Sequence, residues 1–108
     1  METRLFVLQR ASAMLLAPLV VCHLAVILYA VRGGLTADEI LARTQGSVGW
    51  ALFYGVFVLA VSLHAPIGVR NVLKEWTRWR GRSLDAAMLA LAAVLMATGL
   101  RAVWAVVT

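Results

Sequence analysis

Charge is what this sequence has least of. Only 14% of its 108 residues are charged, against roughly 25% in an ordinary soluble domain. The 63% that are hydrophobic lie in long blocks rather than on alternating faces, which excludes a soluble fold built round a large core. Cysteine is nearly absent: Cys22 stands alone inside an apolar run, so there is no internal disulfide and no cysteine metal pattern. No nucleophile–base pair and no phosphate-binding loop occur, so no catalytic centre is written into this chain alone. The formal charge of +5 is concentrated. Arg70, Lys74, Arg78, Arg80 and Arg82 crowd one stretch beside an apolar run, the pattern of positive residues retained on the cytoplasmic side of a membrane rather than of a nucleic-acid patch.

What is present is three apolar runs. Residues 11–31 carry no formal charge, and these 21 residues suffice for a crossing, since roughly 20 span a bilayer core. Pro18 inside this run removes a backbone donor and is expected to bend the helix. The run is too long for a secretory core and is followed by no convincing cleavage site, so it is taken as a retained span. Residues 47–69 form a second charge-free run, with Trp50 and Tyr54 near one end and Ser62, His64 and Pro66 toward the other. Residues 84–107 form the third, interrupted by Arg101, which can snorkel to an interface. Ser83 is the expected N-cap of this helix, with Asp85 at its positive end. Ala86, Ala90, Ala93 and Ala97 make a stripe of small residues on it that lets another helix approach closely.

Between the first two runs, Gly33-Gly34 ends a helix, and Thr36 followed by Glu39 is a capping-box pattern. A short surface helix over 36–44 is expected there. Seven basic residues (Arg4, Arg10 and the five clustered ones) fall on one side of the membrane against three on the other (Arg32, Arg43 and Arg101). That bias places the N-terminus inside and the C-terminus outside. The expected architecture is therefore all-α and integral to the membrane: three transmembrane helices and a short surface helix between the first two, in one domain over residues 1–108.

Two histidines lie within the spans, and imidazole in hydrocarbon needs a partner, so each is a candidate functional group. A hydrogen bond across helices is one use of such a residue and a haem ligand is another. His64 precedes Arg70 by six residues, about 9 Å at helical rise. His23 follows Arg10 by thirteen, about 20 Å. If both arginines mark the inner interface, the two imidazoles differ in depth by roughly 10 Å. They then either serve different haems or only one of them is a ligand. Arg10 and Arg70 suit anionic haem propionates, or they simply anchor helix ends. Ser12 can bond a ligand or its own helix. Glu75 and Trp76 can border a quinone headgroup, or stand as a loop charge and an interfacial aromatic.

The stretch His64-Ala-Pro-Ile-Gly68-Val-Arg70-Asn-Val-Leu-Lys-Glu75-Trp76 resembles the second-helix signature of the cytochrome b membrane-anchor subunits of succinate dehydrogenase and fumarate reductase: a haem-ligating histidine, glycine at +4, arginine at +6 and an acid near +11. Gln9-Arg10-Ala-Ser12 resembles the His-Arg-x-Ser-Gly motif that opens the first helix of such subunits, with Gln9 and Ala13 departing from it, and Gly46-Ser47 fits before the second span. The resemblance implies an anchor that is non-catalytic alone and pairs with a second small membrane-anchor subunit. It implies docking to an iron–sulfur subunit and a flavoprotein, and exchange of electrons with quinone in a bacterial inner membrane. Carried over, His64 is a haem iron ligand, Arg10 faces both a haem propionate and the quinone, and Trp76 matches a quinone-contacting position of the companion anchor. Arg70 at a propionate and Ser12 at the quinone are candidates from their own chemistry and position beside these residues. Phe6 replaces a quinone-contacting serine of the one-haem enzymes. His23 resembles the first-helix ligand of two-haem relatives, so the haem b content is one or two, shared with the partner anchor. Two other readings compete: a small transport or helper protein without haem, and a stand-alone cytochrome b.

Overall fold

The computed structural model describes residues 2–108 as four helices, α1 (Glu2–Gly33), α2 (Ala37–Thr44), α3 (Val48–Trp76) and α4 (Arg82–Val107). There is no strand among the described residues. α1, α3 and α4 are each long and apolar enough to cross a membrane. They form a rod 47 Å long and 23 by 22 Å across, matching the roughly 40–45 Å of a bilayer with its headgroups. Phe6, Met14, Val21, Leu28, Leu52 and Leu89 all point outward. Apolar surface on this scale is sustained only against lipid or other membrane chains.

α3 is the middle helix, with α1 packed on one side and α4 on the other. Its buried residues are Ala60, Ser62, Pro66 and Ile67; Leu16 of α1 and Leu84 of α4 are buried as well. Glycines permit close approaches. A Cβ on Gly68 would lie 3.3 Å from Gln9 Nε2, and one on Gly99 would lie 2.6 Å from a Val58 methyl. Pro66 cannot donate to the carbonyl of Ser62 one turn earlier, yet α3 continues through it.

The helices outrun the apolar runs that announce them. α1 begins at Glu2 rather than Ala11, so Arg10 lies within a continuous helix instead of near its entry. α3 continues to Trp76, so Glu75 and Trp76 are helical rather than loop residues. Nothing from Arg70 to Trp76 breaks a helix; the end comes at Thr77, in extended conformation, whose hydroxyl donates to Leu73 O at 2.6 Å. Ser83 does not cap α4. Gly81, at φ +90°, stands at that position with no side-chain cap, and the Ser83 hydroxyl instead accepts from Trp79 Nε1 at 2.7 Å.

The surface helix forms where the capping pattern puts it, with Thr36 as N-cap accepting from Glu39 N at 3.2 Å. The return bond differs from a reciprocal box. The Thr36 hydroxyl donates to Glu39 Oε1 at 2.7 Å, while that carboxylate sits over Gly34, where any Cβ would collide with it. The end of α2 docks on the end of α4: Thr44 Oγ1 donates to Val106 O, Gly46 N to Val107 O and Gln45 Nε2 to Thr108 O. These bonds satisfy carbonyls that a helix C-terminus leaves without partners. Ser47 then caps α3 by accepting from Trp50 N at 3.2 Å. The C-terminus and the α1–α2 connection therefore share one end of the rod, and the start of α1 and the basic α3–α4 loop share the other.

Candidate functional site

The polar centre of the molecule is where α1 crosses α3. Gln9 and Ser12 are three apart on one helix, and His64 and Gly68 four apart on the other, so each pair shares a helix face. Gly68 leaves room for the Gln9 side chain. Ser12 is only 5% exposed. Its hydroxyl donates to Gln9 O at 3.0 Å and lies 3.3 Å from His64 Nδ1, so it bonds its own helix and a candidate ligand together. The remaining ring nitrogen, Nε2, has no hydrogen-bond partner among the described residues. His64 is half-buried and lines a groove of about 420 Å³ on α3 with Ala65, Gly68, Val69 and Val72. An axial ligand to haem iron needs one bare ring nitrogen, with the other held by the protein, beside apolar walls of small side chains. His64 and its surroundings fit that requirement.

His23 lies elsewhere. Its ring meets Tyr54 and Phe57 edge-on, at centroid distances of 5.8 and 5.3 Å. Its Nδ1 is buried without a hydrogen-bond partner. It borders a space of about 330 Å³ that also touches Thr44, Gly99 and Val103. Ser12 is level with His64, and His23 is eleven residues further along α1, about 16 Å. On α3, Phe57 is seven residues from His64, about 10 Å. Both helices thus separate the imidazoles along the rod by more than one iron can bridge. Around His23 stands an aromatic cluster: Trp50 stacks on Tyr54 at 5.6 Å and Phe53 on Tyr54 at 5.0 Å. Residues 50, 53, 54 and 57 recur at helical spacing, a signal present in the sequence, whereas their nearness to His23 depends on how α1 packs on α3.

Arg70 is held by α4. Its Nε donates to Asp85 Oδ1 at 2.9 Å, with the Arg70 side chain 12% exposed. The pair closes one end of a cleft of about 320 Å³ between α1, α3 and α4, which also contains the hydroxyl of Ser62, buried and without a partner. Arg10 is exposed on α1. Trp76 is 82% exposed. It lies eight residues beyond Gly68, the level of Gln9, and so about 12 Å further along α3. Ser12 and His64 are therefore brought together, His23 and Arg70 are placed in other surroundings, and Trp76 is not at the level of Arg10 within this chain. No cluster of three or more His, Cys, Asp or Glu that could hold a metal ion occurs among the described residues.

Three apolar helices, a surface helix tied to one end, and an imidazole held at the α1–α3 crossing define a small multi-pass membrane protein of the anchor type. The chain belongs to the succinate dehydrogenase/fumarate reductase transmembrane subunit family, whose model matches residues 1–100. No curated protein and no solved structure matches it.

Proposed function

We propose that the chain is the haem-carrying anchor of a succinate:quinone oxidoreductase, with His64 as an axial ligand of a b-type haem. The observation that carries the reading is the state of His64: Nδ1 against Ser12, Nε2 without a partner, and a groove beside it walled by α3. Two ligands of one iron lie level across the ring, and His23 is not level with His64, so the second ligand comes from a second small anchor subunit packed on this face. His23 serves a separate haem by the same reasoning. Its buried Nδ1 lacks the backbone or carboxylate partner that commonly orients a ligating imidazole, which makes it the less prepared of the two.

Haem supplies a one-electron carrier between the soluble subunits and quinone. The residues of this chain bind and orient it. Arg10, exposed near the His64 level, offers a guanidinium to a propionate or to a quinone oxygen. Arg70 approaches a propionate only while shared with Asp85; its first role is to pin α3 to α4. Trp76 is a quinone contact contributed from the end of α3, completed by other subunits rather than by Arg10 of this chain. The basic end with Arg78, Arg80 and Arg82 faces the cytoplasm in a bacterial inner membrane, where the iron–sulfur and flavoprotein subunits dock and quinone is turned over. The charge bias places the N-terminus at that same inner side and the C-terminus outside.

The test is His64→Ala in the assembled complex, read by reduced-minus-oxidised absorption. Loss of a low-spin b-type signal with this chain still present supports the assignment; a full signal refutes it.

A further inference from the structure

We propose that Ser12 is a positioning residue for the His64 haem: it fixes the imidazole in its Nδ1–H tautomer and holds down the reduction potential of the iron. The inference rests on His64 being an axial ligand and assigns the buried hydroxyl of Ser12 to the ligand rather than to quinone.

A serine hydroxyl carries one proton. At Ser12 that proton is used in the bond to Gln9 O at 3.0 Å. With the proton placed there, the oxygen that faces His64 Nδ1 at 3.3 Å accepts, and the contact is favourable when Nδ1 carries the hydrogen. A neutral imidazole has one N–H, so Nε2 is left bare with its lone pair directed away from Ser12. The tautomer needed for coordination is thus set before any metal arrives. Gln9 O is the shorter of the two contacts of this hydroxyl, at 3.0 against 3.3 Å, which favours leaving the proton there.

The same contact continues to act once iron is bound. Coordination makes the Nδ1–H more acidic, which strengthens its bond to the hydroxyl oxygen. That bond returns electron density to the ring and makes Nε2 a stronger donor. A stronger donor favours ferric over ferrous iron, so the Ser12 contact lowers the midpoint potential. The Gln9 carbonyl holds the hydroxyl proton and keeps the oxygen turned toward the ring. Ser62 is the internal contrast: it is also a buried serine of the bundle, on α3 two residues from His64, but its hydroxyl has no hydrogen-bond partner.

The experiment is a redox titration of haem in the purified complex carrying Ser12→Ala, Ser12→Thr or Ser62→Ala. Ser12→Ala is expected to raise the midpoint of one b-type haem by a three- to tenfold shift in the ferric/ferrous equilibrium, tenfold being 59 mV for one electron. Ser12→Thr keeps the hydroxyl and is expected to stay near the unmodified value, while Ser62→Ala leaves it unchanged. A midpoint in assembled Ser12→Ala equal to the unmodified one overturns the proposal, as does an equal shift in Ser62→Ala, which would mark a packing effect. If Ser12→Ala does not assemble, Ser12→Cys replaces it; that weak acceptor is expected to raise the midpoint less than alanine would, and an unmoved midpoint overturns the proposal. Absence of any b-type signal from the unmodified complex instead defeats the reading of His64 itself, so the two failures are distinguishable.

Discussion

Gly99 on α4 faces Val58 on α3 at a close approach of the two helices, and Gly99→Ala tests that packing directly. The added methyl would fall 2.6 and 2.9 Å from the two Val58 methyls, against roughly 3.5–4.0 Å for relaxed carbon contact. One side must therefore move by about 1 Å. Valine in a helix is held in essentially one rotamer, so Val58 cannot swing away, and the helices themselves must separate. Overpacking of this kind costs about 1–3 kcal/mol, while alanine returns at most about 1 kcal/mol in helix propensity over glycine. A net loss of about 1–2 kcal/mol is expected, enough to change the folded-to-unfolded ratio roughly 5- to 30-fold. The assay is heating of the detergent-solubilised complex, scored by the amount of this chain that stays soluble. Gly99→Ala should be lost at lower temperature, and adding Val58→Ala should recover part of the difference, because the clash is with those methyls. Equal or greater heat resistance in Gly99→Ala would show that α3 and α4 do not meet at this position.

Three further outcomes are expected. His23→Ala should remove a second b-type signal while leaving that of His64 intact, measured by reductive titration; unchanged haem content would place the protein with one-haem anchors. Arg10→Leu should slow quinone turnover by about tenfold or more, as expected for loss of a charge-assisted hydrogen bond worth at least 1.4 kcal/mol. Succinate oxidation with a soluble artificial acceptor should be unaffected, and an unmodified quinone rate in an assembled variant would reduce Arg10 to an anchor. Reporter fusions after Thr108 should be active only outside the cytoplasm, as the positive-residue bias requires; activity confined to the cytoplasm would invert the topology.

The three crossings and the cap at Thr36 were legible because each depends on local sequence: a charge-free run of sufficient length, or a hydroxyl three residues before an acid. Helix ends were less so. Hydropathy marks only the part of a helix in hydrocarbon, so α1 and α3 extend past their apolar runs into charged sequence that is equally able to be helical. Ser83 had the right chemistry for a cap, but Gly81 turns the chain earlier and Trp79 takes the hydroxyl. Helix faces were the least legible. Between Ala86 and Ala97 α4 is apolar all round, so periodicity does not select its packed side. The alanine stripe at 86, 90, 93 and 97 is exposed and free for another helix, while a close approach to α3 falls at Gly99. His64 stands out as a histidine inside an apolar run, and Gly68 only through the second-helix signature that the stretch resembles. The pairing of His64 with Ser12 was not, because it joins residues 52 apart in sequence. The same holds for Arg70 with Asp85, which requires knowing how α4 returns along α3.

The most direct measurement is purification of the assembled protein through a tag on this chain in mild detergent, with an absorption spectrum and identification of every subunit that accompanies it. A low-spin b-type haem is expected, together with a flavoprotein, an iron–sulfur subunit and a second small membrane chain. A colourless preparation of this chain without those subunits would contradict that expectation.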